Sequence, residues 1–174
     1  VYVGITNVYN FMDGINGIAA IETITVASAM AIVFWTIDNT TFIPALILLA
    51  ASALGFLYWN FPRASIFMGD VGSLYLGFAL GALAVATSLN NILIASAWLI
   101  MLSIFITDAT WTLLRRLLSG QRFWQAHRLH AYQKMAVRFG THTTPSLAVA
   151  FYNLGWCLPI AWSVMHTNLP YWAG

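Results

Sequence analysis

Three short polar stretches interrupt an otherwise apolar sequence, and each carries side chains equipped for chemistry. The first, NVYNFMDGINGIAAIE (residues 7–22), sets Asn7, Asn10, Asp13 and Asn16 three residues apart. At helical spacing the amides and the carboxylate share one face just ahead of an apolar run. Gly14 and Gly17 would let backbone approach a ligand there. A plain polar cap on a helix, with Asp13 solvated, accounts for the same pattern. The second, FPRASIFMGDVGSLYLGF (residues 61–78), places Asp70 between Gly69 and Gly72 at the start of another apolar run. A carboxylate at a helix N-terminus serves as a cap for the free amides. It equally suits a hard cation, since Mg²⁺ takes one or two carboxylates and completes its shell with water and phosphate. Ser73 is placed to cap the same helix or to meet a phosphate. The third, AHRLHAYQ (residues 126–133), combines His127, Arg128 and His130. Imidazole and guanidinium at this spacing suit a phosphate dianion, which Arg engages bidentately. They equally suit a polar surface helix. Zinc is disfavoured, because no third His or Cys stands at a recognisable ligand spacing.

These stretches must be positioned by membrane helices. Of 174 residues, 60% are hydrophobic and 7% charged, against about 25% charged in an ordinary soluble domain. Mean hydropathy is +0.78, so lipid must cover much of the surface. Five runs reach the roughly 20 apolar residues that cross a bilayer: 17–37, 42–60, 72–89, 92–113 and 146–165. Backbone in lipid must satisfy its own hydrogen bonds, which makes these runs helices. The expected fold is therefore all-α, a polytopic transmembrane bundle forming a single domain. All seven basic residues lie in two connections: Arg63 in one, and Arg115, Arg116, Arg122, Arg128, Lys134 and Arg138 in the other. Counting spans puts residues 1–16, 61–71 and 114–145 on one side, and the positive-inside rule makes that side cytoplasmic. Within the last loop, QRFWQAHRLHAYQKMAVRF reads as an amphipathic helix that Gly140 terminates. His127, His130, Lys134 and Arg138 fall on its polar face, and Leu129, Tyr132, Ala136 and Phe139 on the other.

Two acids fall within spans, where ionisable groups are costly and face a bundle interior or a wet cavity. Asp108 is expected to pair with Arg115 or Arg116, and Glu22 with a helix outside this sequence. His142 and His166 are isolated and read as solvated, as does Asp38. The single cysteine, Cys157, excludes a disulfide framework. A net charge of +2 is too small to point to nucleic acid.

Taken together, in order and with these spans between them, NVYNFMDGINGIAAIE, SIFMGDVGSLYLGF and AHRLHAYQKMA resemble the polyprenyl-phosphate N-acetylhexosamine-1-phosphate transferases, glycosyltransferase family 4. The AHRLHAYQ form and the Glu after DGINGIAAI look most like the subgroup that initiates O-antigen-type surface polysaccharides. The resemblance implies transfer of a sugar 1-phosphate from a UDP-N-acetylhexosamine to undecaprenyl phosphate, releasing UMP, at the cytoplasmic face of a bacterial inner membrane. It implies a Mg²⁺ cofactor, with Mn²⁺ as a substitute, held by Asp70 and Asp13. Asp70, Asp13, His127 and His130 would carry catalysis, with Asn10, Asn16, Arg128 and Ser73 contacting substrate. The lipid bilayer is the other partner implied, and a homodimer is compatible with the chain.

Two departures bear on that reading. Many relatives have Asp where this chain has Asn16, so a charge beside the nucleotide is lost. The family's adjacent aspartate pair, expected in an earlier loop, is absent. The sequence, which opens on VYVGITNVYNF, therefore reads as a C-terminal part of a larger transferase, inactive by itself. The competing class is a transporter or channel using Glu22 and Asp108 as relay groups. Charge gathered at one interface, rather than at the midplane, favours the enzyme.

Overall fold

The structure, a computed structural model, describes residues 2–119 and 130–166. Every regular element among them is helical: α1 (Tyr2–Met12), α2 (Ile18–Thr36), α3 (Ile43–Asn60), α4 (Gly69–Ser88), α5 (Ile92–Met101), α6 (Ser103–Leu118), α7 (Ala131–Phe139), α8 (Thr143–Tyr152), a π-helical turn (Asn153–Cys157) and α9 (Leu158–His166). Four helical segments are long and apolar enough to cross a membrane, or five if the bent pair α5–α6 is one span. The chain is a multi-pass membrane protein. Its exposed residues include Leu48, Leu54, Phe78, Leu99 and Phe151, a surface that only lipid would cover without aggregation.

The helix α2 is the hub. It is apolar on all sides, and Val26, Ala27, Met30, Val33 and Phe34 are buried. The helix α3 packs along it, while α1 packs along α4 and α5 along α9. The α1–α4 contact depends on Gly77, where an added Cβ would lie 2.8 Å from both Thr6 Cα and Tyr9 Cβ. Trp98 Nε1 donates to Thr87 Oγ1 at 2.8 Å and ties α5 to α4. Asn91 caps α5 by accepting from Leu93 N and Ile94 N.

The expected spans 17–37, 42–60, 72–89 and 146–165 match helical segments to within three residues at each end. Three expectations are corrected. Residues 1–16 do not form a loop: 2–12 are a helix inside the bundle, packed on α4. The run 92–113 is not one straight helix but α5 and α6, bent by 69° around buried Leu102. The amphipathic helix begins at Ala131, with His130 as its N-cap residue and buried; its earlier residues, 121–129, lie outside the described part. Gly140 does terminate it, in the left-handed conformation at φ 65°.

The last span carries the π turn for a local reason. Pro159 has no N–H to donate to the carbonyl four residues back, and its ring crowds that carbonyl. The wider turn relieves the crowding, and Leu158 N bonds back to Asn153 O. Asn153 Nδ2 then donates to Glu22 Oε2 at 2.7 Å and to Thr25 Oγ1 at 2.9 Å. Glu22 thus meets an amide on the last span.

Candidate active site

The first two polar stretches converge at one end of the bundle, at the α1–α2 and α3–α4 junctions, where the α7–α8 junction meets them. The first junction follows the end of α1 at Met12. Asn10 remains on the helix, Asp13 lies beyond its end, and Asn16 sits in the turn, so the three do not share one helical face. Gly17 reverses the chain into α2 at φ 79°, and a Cβ there would lie 2.6 Å from Phe61 Cδ2. That contact lets the second junction close over the first.

Side chains then lock the junctions together. Asn60 Oδ1 accepts from Gly17 N at 2.6 Å, while its Nδ2 donates to Ile66 O at 2.7 Å. Asn16 Nδ2 donates to Pro62 O at 3.2 Å, and Ser146 Oγ donates to Asn16 O at 2.8 Å. Asn16 N donates to His142 Nδ1 at 3.4 Å. Tyr132 OH donates to Phe11 O at 3.2 Å, anchoring α7 beside the first junction. Burial, then the negative charges of Asp108 and Asp13, push the Tyr132 phenol up, so it remains a neutral donor.

At the centre, Asn10 Nδ2 donates to Asp70 Oδ1 at 3.0 Å and lies 3.1 Å from Ser73 Oγ. Neither Asp70 nor Ser73 caps α4: Met68 holds the cap position without a side-chain bond, Asp70 lies in the first turn, and buried Ser73 bonds back to the carbonyls of Gly69 and Asp70. Asn10, Asp13, Asn16, Asp70, Ser73 and His142 line a common cleft of about 290 Å³. Burial, and then the charge of Asp70, raise the Asp13 carboxyl from 3.8 to about 6. None of the residues lining the cleft is Lys or Arg.

Asp13 and Asp70 therefore face one pocket lined by no Lys or Arg, among hydroxyl and amide groups and the His142 imidazole, whose Nδ1 is taken up by Asn16 N. Among the described residues no three His, Cys, Asp or Glu side chains stand close enough together to hold a metal ion by themselves. This set fits a hard cation that takes two carboxylates and finishes its shell with water and substrate oxygens. It does not fit zinc.

The third stretch enters only in part. His127 and Arg128 lie outside the described residues. His130 is buried against Asp108, Nδ1 to Oδ1 3.6 Å. Asp108 does not take up the expected role with Arg115 or Arg116: it accepts from Thr112 Oγ1, Ala131 N and Tyr132 N instead. A pocket of about 550 Å³ that shares Gly14, Ile15 and His142 with the cleft carries Lys134 and Arg138, and beyond it one of about 340 Å³ is lined by Lys134, Arg115 and Arg116 together with Asp108 and Trp111. Two cleft residues escaped the sequence reading. His142 had no motif around it, and its partner Asn16 is 126 residues away. Asn60 read as the last residue of a span.

The family model for glycosyl transferase family 4 matches residues 1–88, which carry Asn10, Asp13, Asn16, Asp70 and Ser73. The chain is also similar to a probable undecaprenyl-phosphate N-acetylglucosaminyl 1-phosphate transferase of Bacillus subtilis (strain 168). The two are 32% identical over 161 residues, 91% of this chain and 44% of that protein. The chain thus spans less than half the length of the curated relative it matches.

Proposed function

The chain belongs to glycosyl transferase family 4, and from that premise we propose that the protein containing it transfers an N-acetylhexosamine 1-phosphate from a UDP-sugar to undecaprenyl phosphate. An acceptor phosphate oxygen bonds to the β-phosphorus of the donor, the bond from that phosphorus to the bridging oxygen breaks, and UMP leaves. The product is a lipid diphosphate sugar, the first intermediate of an O-antigen-type surface polysaccharide. The reaction takes place at the cytoplasmic face of the inner membrane, where the basic residues of the loops favour placement.

One observation supports this reading above the others. Asn10 and Asp70, 60 residues apart, meet in a cleft shared with Asp13 and devoid of Lys and Arg. Asp13 and Asp70 would hold Mg²⁺, or Mn²⁺ in its place. Bound there, the cation would neutralise diphosphate charge and make the β-phosphorus open to attack. The chain's own residues do the rest. Asn10 holds one Asp70 oxygen in place and leaves the other available. Asn16 and His142 fix the junction backbone at the cleft mouth, and Tyr132 anchors α7 beside it. His130, with His127 and Arg128, supplies the donors to phosphate oxygens, and Arg115, Arg116 and Lys134 add positive potential close by.

The test is UMP release from UDP-N-acetylglucosamine by the full-length protein in vesicles that contain undecaprenyl phosphate. Release should stop on adding EDTA and return with Mg²⁺. Release that persists in EDTA, or in Asp70→Asn at the wild-type rate, would refute the metal assignment. No release with any UDP-N-acetylhexosamine would refute the reaction.

A further inference from the structure

Asp108 belongs to none of the three polar stretches, yet it makes more defined contacts than any other carboxylate among the described residues. It stands on α6, past the 69° bend, and Thr112 Oγ1, one turn on, donates to its Oδ1 at 3.2 Å. From α7, Ala131 N donates to Oδ1 at 2.9 Å and Tyr132 N approaches Oδ2 at 3.4 Å. The ring of His130 lies 3.6 Å away through Nδ1, and the two side chains are only 5% and 10% exposed.

A helix leaves its first amides without partners, and a side-chain oxygen from the residue just before the helix normally accepts from them. In α7 that residue is His130, whose ring and Gln133 form a capping box around the third helical amide, the His130 backbone N donating to Gln133 Oε1 at 3.3 Å; the amides of Ala131 and Tyr132 lie outside that box. The acceptor for the first amides comes from another helix, 23 residues earlier in the chain. One carboxylate therefore accepts from the start of α7 and faces the imidazole at that start. The ring is also held from the other direction, stacked on Tyr132 at 5.6 Å and 27°, whose hydroxyl reaches Phe11 O beside Asp13. This is how a carboxylate orients a working imidazole elsewhere, by fixing the direction of the ring.

We propose that Asp108 is the positioning residue for His130, setting the imidazole and the first turn of α7 relative to the cleft; this role rests on the phosphosugar transfer proposed above. Asp108 itself touches no substrate and acts through His130. Loss of its charge while an acceptor oxygen remains should impair turnover rather than binding of the UDP-sugar.

The experiment is a double-mutant cycle in the full-length protein, with Asp108→Asn, His130→Ala and the pair. It measures kcat and KM for UDP-N-acetylglucosamine and thermal unfolding in detergent. Asp108→Asn should lower kcat about 10- to 100-fold with KM unchanged within about twofold. In the His130→Ala background the same substitution should have almost no further effect, because residues that act as a unit are not additive. An equal fold-loss in both backgrounds would show a merely structural role and overturn the inference, as would an Asp108→Asn enzyme as fast as wild type. If Asp108→Asn fails to fold, Asp108→Glu takes its place in the cycle and the same coupling decides. An inactive wild type, or an unimpaired His130→Ala, would instead overturn the reading on which the inference rests, and both are visible before any Asp108 variant is measured.

Discussion

Replacing Asn10 with Ala isolates the contact on which the cleft turns. The Asn10 amide holds Asp70 Oδ1 at 3.0 Å and approaches Ser73 Oγ at 3.1 Å. Ser73 keeps its bonds to the carbonyls of Gly69 and Asp70 without Asn10, so most of the loss falls on Asp70. A hydrogen bond to a charged group contributes about 1.5–3 kcal/mol net. Asp70 is exposed, which places this bond at the lower end, about 1–2 kcal/mol. If that free energy is realised in the transition state, kcat/KM falls about 5- to 30-fold, and half-saturation by Mg²⁺ rises in the same proportion. Asn10→Asp keeps the shape but adds a third carboxylate to the cleft. It should be worse than Asn10→Ala at low Mg²⁺ and recover as Mg²⁺ is raised. The assay is UMP release by the full-length protein across a Mg²⁺ series, with thermal unfolding to exclude collapse of the bundle. An Asn10→Ala enzyme within twofold of wild type in both kcat/KM and Mg²⁺ half-saturation would refute the reasoning.

Further outcomes follow from the same geometry. The folded Asp13 carboxyl titrates near 6 rather than 3.8. Its contribution to stability is therefore greatest below about pH 4 and is lost as pH rises to about 6, whereas cation binding needs the ionised form. Activity at limiting Mg²⁺ should fall as pH drops through 6, and saturating Mg²⁺ should move that limb to lower pH; a limb that ignores Mg²⁺ would contradict this. Gly77→Val drives a side chain into the backbone of α1 and should cost about 1–3 kcal/mol, whereas Gly55→Ala, with nothing within 4 Å of an added Cβ, should not destabilise; thermal unfolding in detergent separates them. Asn153→Leu strips Glu22 Oε2 and Thr25 Oγ1 of their donor and should destabilise by about 1–3 kcal/mol, with Glu22→Leu in the same chain recovering part of the loss.

What the sequence disclosed follows from what hydropathy encodes. The runs that became α2, α3, α4 and the last span announce themselves because nearly every residue is apolar over the thickness of a bilayer. The helix α1 does not, since YVGITNVYNFM carries Thr6, Asn7 and Asn10 among its apolar residues and leads straight into the GING turn. The bend at Leu102 leaves no trace, because LIMLSIF contains neither Pro nor Gly and the change of direction arises from packing. The aspartates of the cleft were legible from their glycine and asparagine neighbours. His142 and Asn60 were not, because what makes them part of the cleft is a fold that closes 126 and 43 residues of chain. Asp108 was visible as an acid out of place, but its nearest arginines in sequence suggested the wrong partner.

The placement of the two acids within spans also weighs the enzyme against a transporter. A relay across the bilayer needs ionisable groups in a wet path near its midplane. Glu22 is fully buried and bonded to Asn153 in the packed interior. Asp108 points the other way, out of the apolar run and onto the first turn of α7. Among the described residues the two acids share no pocket. The pockets that gather charge lie at the junction end: Asp13 and Asp70 in one, Lys134 and Arg138 in the one adjoining it, and Arg115 and Arg116 beyond. That arrangement sets a cation-seeking pocket beside an anion-seeking one at one end of the bundle. It is the arrangement that the transfer proposed above would use, a cation-held diphosphate beside donors to phosphate oxygens.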